Sequence, residues 1–301
     1  MNYKTFEDMF AANGNSRKKK VVLAGAEDPH ALEAVLLAAR QERIDYLLVG
    51  NKREIQDVAN SLGYDLDIDE IISAPNPEMA AFLAVEQIRL KKGDYLMKGK
   101  METNLLLKQV VNKETGIGTG NLMSHMAVME SYNYHKLLGI TDGGMIPYPD
   151  LEEKKGIIRN AVNFFHRLGY ENPKVGIMAA VEFVNPKMQE TIDGEKLTAF
   201  FRNDKSLGQC IVEGPISFDL AVNPESARIK GYESSVAGDV DIMIMPSLVS
   251  GNLMAKAISC LGNATFAGCV LGALVPIVVT SRGSSLEEKY RSLLLCKALV
   301  E

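Results

Sequence analysis

Short runs of aliphatic and β-branched residues alternate with stretches whose apolar positions recur every three or four residues, and this alternation continues along most of the chain. Val21-Val22-Leu23-Ala24-Gly25 reads as a strand, followed by a helix over 29–42. Tyr46-Leu47-Leu48-Val49 and Tyr95-Leu96-Met97 read as further strands, with helices over 52–62, 77–92 and 103–111. Residues 125–130 and 136–141 look extended. Glycine and proline then concentrate in Thr141-Asp142-Gly143-Gly144-Met145-Ile146-Pro147-Tyr148-Pro149, the best candidate for a domain junction. The pattern restarts after it. Strands are expected at 175–180, 211–212 and 242–245, and helices at 151–168, 197–205, 218–230 and 251–261. Strands separated by helices imply α/β architecture with parallel-type sheets and crossover connections.

The last such unit carries the clearest chemical signal. Apolar runs over 268–279 end in Thr280-Ser281-Arg282-Gly283-Ser284-Ser285, and a helical pattern with Leu286, Tyr290, Leu293, Leu294 and Ala298 follows. A strand therefore delivers hydroxyls and a guanidinium to a helix start, where unpaired N–H groups and the helix dipole favour an anion such as phosphate. An ordinary cap fits the same residues, because Ser284-x-x-Glu287 matches a capping box. Other strand tips share this polarity. Lys98-Gly99-Lys100, Thr141-Asp142, Glu182 with Asn185, Glu213-Gly214-Pro215 with Asp219, and Gly251-Asn252 with Lys256 each follow a strand. In series they suggest a polar cleft for an anionic ligand.

Composition narrows the field. The 301 residues suit one large or two packed domains, and 47% hydrophobic with 24% charged residues is ordinary for a globular chain. A net charge of -5 and the absence of tryptophan argue against a nucleic-acid partner. The longest apolar run, 266–279, is interrupted by Gly268, Gly272 and Pro276, so no membrane span is expected. Cys210, Cys260, Cys269 and Cys296 form no paired motif, and a reducing cytoplasm is the expected home. The four histidines are far apart in sequence and no metal is assigned to them. His125, at a strand start after Ser124, reads either as a structural histidine or as a site residue. Gly116-x-Gly118-x-Gly120 follows a helix and lacks the spacing of a dinucleotide loop.

In order along the chain stand Leu96-Met97-Lys98-Gly99, Thr103 with Leu106-Leu107-Lys108, Ser124-His125-Met126-Ala127 and Thr141-Asp142-Gly143-Gly144. After them come Val181-Glu182-Phe183-Val184-Asn185-Pro186, Val212-Glu213-Gly214-Pro215-Ile216-Ser217-Phe218-Asp219, Gly238-Asp239-Val240-Asp241, Ser250-Gly251-Asn252 with Lys256, and Thr280-Ser281-Arg282. This ordered set resembles the phosphate acetyltransferase and phosphate butyryltransferase family, its butyryltransferase branch above all. The resemblance implies reversible acyl transfer between acyl-CoA and inorganic phosphate, giving acyl phosphate and CoA. Butyryl-CoA or another short or branched acyl-CoA is the implied substrate, with acetyl-CoA or a non-catalytic CoA-binding role as alternatives. It implies a fold like that of isocitrate and isopropylmalate dehydrogenases, with an interdomain cleft. The first domain then comprises 1–142 and 272–301, and the second 143–271. It also implies no tightly bound cofactor, coenzyme A as substrate or product, and a homodimer or higher homo-oligomer.

By the same resemblance Ser281, Arg282 and Glu288 are candidate catalytic residues. Lys98, Thr103, Lys108, Ser124, His125, Thr141, Asp142, Glu182, Asn185, Gly214, Pro215, Asp219, Gly251, Asn252, Lys256 and Thr280 are candidate substrate-binding residues. The chain departs from the family at Glu288, where the acetyltransferase branch has aspartate, and at Cys260, where it has arginine. Lys108 replaces an arginine of that branch, and Glu102 stands where butyryltransferase-like sequences read histidine. A carboxylate base would help in the direction that deprotonates CoA, since an alkyl thiol ionises only near pH 8.5.

Overall fold

A computed structural model describes residues 2–13, 17–281 and 283–300, with the Ile68 side chain left aside. Elements in chain order are α1 (Phe6–Ala12), β1 (Lys19–Ala24), α2 (Pro29–Arg40), β2 (Ile44–Gly50), α3 (Lys52–Ser61), β3 (Ile71–Ser73), α4 (Pro77–Arg89), β4 (Tyr95–Lys98) and α5 (Thr103–Val110). Then follow β5 (Ser124–Glu130), β6 (Leu138–Thr141), α6 (Leu151–Arg167), β7 (Lys174–Met178), α7 (Gln189–Asn203), β8 (Ile211–Ile216), α8 (Phe218–Val222) and α9 (Pro224–Lys230). The last are β9 (Ile242–Ile244), α10 (Leu248–Leu261), β10 (Thr265–Leu271), β11 (Ile277–Val278) and α11 (Leu286–Leu299). The chain forms two compact units. A flanking unit comprises Phe10–Asn121 and Ala267–Glu301, and a middle unit comprises Met1–Met9 and Leu122–Phe266.

In the flanking unit the strand order is β3-β2-β1-β4-β11-β10. Strands β3 to β11 run parallel, with Val22 beside Leu47 and Leu96, and Leu96 beside Ile277. Only β10 runs against its neighbour β11. Strand β1 is buried at five of six positions, which is why it reads as a continuous apolar run rather than an alternating one. Asp28 caps α2 through a bond from the Ala31 N–H, with Pro29 in the first turn, and α4 repeats the device with Asn76 and Pro77.

In the middle unit the order is β5-β6-β9-β7-β8. Here β6, β9, β7 and β8 are parallel and β5 is antiparallel to β6. Antiparallel pairing is found between β5 and β6 and between β10 and β11, where the linkers 131–137 and 272–276 are too short for a crossover helix. Helix α7 begins at Gln189, well before the expected Leu197. Its first turns bury Thr191 and Asp193 rather than apolar side chains, and Asp193 pairs with the buried Lys154 at 2.5 Å. The helix expected over 218–230 is two helices, because Asn223 is extended and caps a second one that opens with Pro224.

Candidate functional site

In the flanking unit, β11 aligned with β4 carries the chain into residues 280–285. Thr280 is buried and Ser281 is exposed, its Oγ accepting from the Gly283 N–H at 3.4 Å. Arg282 lies outside the described residues. The cap of α11 is Ser285, whose Oγ accepts from the Glu288 N–H at 3.2 Å, one residue later than the capping box expected at Ser284. The register moves because the Ser284 side chain turns inward, 4% exposed. Among the described residues its Oγ has no hydrogen-bond partner. A buried hydroxyl is ordinarily paired, so this one is an exception. Glu288 is partly exposed at the third position of the helix.

One residue here was missed by sequence reasoning. Lys289 is 2% exposed, and its Nζ donates to Thr280 Oγ1 at 3.1 Å. Among the described residues the carboxylate oxygen within ion-pair distance of it is Asp28 Oδ2, at 3.9 Å. A signal existed: Lys289, Leu293 and Cys296 fall on one helical face, and a lysine amid apolar positions is anomalous.

The β4 tip belongs to the same unit. Lys98 is buried, with Nζ donating to the carbonyls of Gly99 and Met101 at 3.1 Å each. Gly99 must be glycine, since a Cβ would stand 2.1 Å from the Gly25 carbonyl oxygen. Thr103 opens α5 and is partly exposed, and Lys108 on the same helix is exposed.

In the middle unit, Ser124, His125, Thr141, Asp142, Gly251 and Asn252 come together. The Asp142 carboxylate is 1% exposed and accepts three backbone N–H bonds. Gly144 and Met145 donate to Oδ1 at 2.6 and 2.9 Å, and His125 to Oδ2 at 3.3 Å. Such donors are what make a buried carboxylate tolerable. Thr141 Oγ1 donates to the His125 carbonyl at 2.8 Å, and Asn160 donates to Ser124 Oγ at 2.9 Å. The His125 ring packs over Gly144, where a Cβ would lie 3.0 Å from its Cγ. Burial lowers the imidazole pKa below its ordinary value, with the Asp142 charge pulling the other way. Asn252 Nδ2 donates to the Gly143 carbonyl at 3.1 Å, and Gly251 stands against the Asp142 carbonyl. Lys256, further along α10, is exposed.

The remaining candidates form a second group in the middle unit. Lys230 Nζ lies 3.1 Å from Asp219 Oδ2 and 3.7 Å from Glu182 Oε2. A hydrogen bond from Ser217, then Lys230, holds the Asp219 carboxyl below its ordinary range. Asn185 Oδ1 accepts from the Lys187 N–H at 3.0 Å, ordering its own turn. Gly214 and Pro215 pack backbone against backbone: a Cβ on Gly214 would lie 2.6 Å from Ile177 Cβ, and one on Gly194 2.7 Å from the Pro215 nitrogen. The conspicuous Asp239 and Asp241 bind Lys136, whose Nζ is 2.7 and 2.6 Å from them, and Lys174 at 2.6 Å adds to Asp239.

Parallel-strand tips that gather hydroxyls, buried cations and a helix start define an α/β enzyme of anionic substrates, and comparison with known proteins narrows the class. Over 97% of its length the chain is 39% identical to phosphate butyryltransferase of Clostridium acetobutylicum, covering 97% of that protein. It is 37% identical over 96% of its length to phosphate acetyltransferase of Thermotoga maritima, covering 98% of it. The crystal structure of a branched-chain phosphotransacylase from Enterococcus faecalis V583 superposes with a TM-score of 0.82 at 28% identity, over 94% of this chain and 99% of that one. Residues 74–296 match the model of the "Phosphate acetyl/butaryl transferase" family. The chain belongs to that family, and it is an acyltransferase.

Proposed function

We propose that this chain transfers an acyl group reversibly between a short or branched acyl-CoA, butyryl-CoA foremost, and inorganic phosphate. The observation that carries this reading is the 280–285 segment, with its inward hydroxyl of Ser284 and buried Lys289, in a chain similar to phosphate butyryltransferase over nearly its full length. Phosphate is itself the nucleophile: its oxygen attacks the thioester carbonyl, charge builds on the carbonyl oxygen, and the CoA thiolate leaves. Donors aimed where that charge develops supply the stabilisation. Arg282 binds phosphate as a bidentate fork, Ser281 donates to the reacting group, and Ser284 and the α11 N–H groups complete the anion pocket. Glu288 takes the thiol proton in the reverse direction. Lys98, Thr103, Lys108 and Thr280 support this side.

Ser124, His125, Thr141, Asp142, Gly251, Asn252 and Lys256 bind the acyl-CoA side, Asp142 holding the backbone of 143–145 in place. Glu182, Asn185, Gly214, Pro215 and Asp219 shape the wall beside it. CoA enters as substrate or product and no resident cofactor is required. The reaction is assigned to the cytoplasm. Among the described residues no helix is long and apolar enough to cross a membrane.

We also assign the active form as a homodimer. Helix α10 buries only Gly251 and exposes Val249, Leu253 and Leu261 beside an apolar cavity of about 420 Å³ lined by Met129, Tyr134, Leu138, Phe218 and Ile258. Apolar patches of this kind mark protein contacts.

The test is thiol release from butyryl-, isobutyryl- and acetyl-CoA with and without phosphate. Phosphate-dependent release, fastest with a four-carbon chain, is expected, and none with any of the three sinks the reading. Arg282→Ala should raise the phosphate KM at least tenfold, about 1.4 kcal/mol, with the fold intact by circular dichroism.

A further inference from the structure

Buried ammonium groups are costly unless a carboxylate meets them closely. Two buried lysines of the chain, Lys136 and Lys154, obey this rule. Lys136 meets Asp239 and Asp241 at 2.7 and 2.6 Å, and Lys154 meets Asp193 at 2.5 Å. Lys289 does not. Its side chain is 3% exposed, the carboxylate oxygen within ion-pair distance among the described residues stands at 3.9 Å, and its hydrogen bond goes to a neutral hydroxyl. Asp28 is itself engaged elsewhere, since its Oδ1 accepts the capping bond from the Ala31 N–H at 2.8 Å. The ammonium is thus only partly neutralised within the protein.

The direction of the Lys289–Thr280 bond has a chemical consequence. An ammonium can only donate, so Thr280 Oγ1 accepts, and the hydroxyl proton of Thr280 remains free to point elsewhere. Thr280 is the first residue of the segment that continues through Ser281 to the unpartnered Ser284 Oγ. A hydroxyl polarised from behind by a cation, and left with its proton unassigned, is a donor prepared for an anion.

We propose that Lys289 is the positioning residue of the 280–285 segment and the buried counter-charge for the anion it receives, acting through Thr280 and held in check by Asp28. This rests on the phosphotransacylase reading, with phosphate as the anion. Lys289 fixes the Thr280 hydroxyl in its donor orientation and lends the pocket a positive potential that Asp28 partly cancels. The two residues therefore act on phosphate in opposite senses, which a purely structural ion pair would not do.

The test compares Lys289→Met, Lys289→Arg and Asp28→Asn in the full chain, by steady-state kinetics and by calorimetric titration with inorganic phosphate alone. Lys289→Met keeps an unbranched stem one atom shorter and removes the charge, and it should weaken phosphate affinity and raise the phosphate KM about tenfold or more, leaving the acyl-CoA KM within about twofold. Lys289→Arg should recover most of that loss. Asp28→Asn still caps α2, because asparagine is as good a cap, and it should tighten phosphate about threefold. Parallel losses in Lys289→Met and Asp28→Asn, or equal changes in both KM values, would overturn the proposal in favour of simple packing. If Lys289→Met fails to fold, Asp28→Asn decides by the sign of its effect. The titration reads phosphate binding without turnover, so a wild-type chain that binds phosphate but releases no CoA would defeat the reaction assigned above and leave this inference standing.

Discussion

His125 links burial to acid stability. Burial lowers its pKa in the folded chain, with Asp142 opposing, whereas the unfolded imidazole takes up a proton near pH 6.5. Below that pH the unfolded chain binds more protons, so stability falls as pH drops. His125→Gln should flatten the decline of the urea midpoint between pH 7.5 and 5.5, and curves that stay parallel to wild type would remove His125 as the source. At this scale legibility is uneven. Ser281, Arg282 and the Gly251-Asn252 pair stand out in the sequence as polar punctuation after apolar runs. Lys289 was overlooked because lysines in helices are usually solvated, although its place on the face of Leu293 and Cys296 was a signal that its burial bears out. The choice of Ser285 over Ser284 as cap was equally hidden, since both satisfy the pattern and inward packing decides.

Among the elements, α10 meets the turn after β6 at a close contact. Gly251 stands with its virtual Cβ 2.8 Å from the Asp142 carbonyl oxygen and 3.0 Å from Gly143 Cα, and both obstacles are backbone. Gly251→Ala should cost about 1–3 kcal/mol in urea unfolding, as overpacking against rigid atoms does. It should also lower turnover, because the displaced backbone is that of 142–143. An alanine variant with wild-type stability would show that this contact relaxes freely. Most elements were legible because strands buried on both faces and capped amphipathic helices leave strong patterns. The start of α7 was not, since its buried positions are Thr191 and Asp193, which look like loop until Lys154 supplies the partner. Strand β8 runs through Gly214 and Pro215, residues that ordinarily end a strand.

For the whole molecule, the exposed face of α10 predicts assembly. Leu253→Asp combined with Leu261→Asp should convert a dimer to a monomer in sedimentation velocity. A wild-type chain that already sediments as a monomer at micromolar concentration would retire the dimer. The family was legible because its motifs are spread over nearly the whole chain, so their order carries more information than any one of them. The order of the strands has a further consequence. Strand β11 pairs with β4, joining Ile277 to Leu96 across some 180 intervening residues. A chain made at about 5–20 residues per second has had the whole of 122–266 synthesised before β11 is translated. The middle unit can therefore fold first, while the flanking unit waits for its interior strand and for the serines that follow it. A prematurely terminated product would contain the middle segment yet lack the 280–285 segment to which phosphate binding is assigned above.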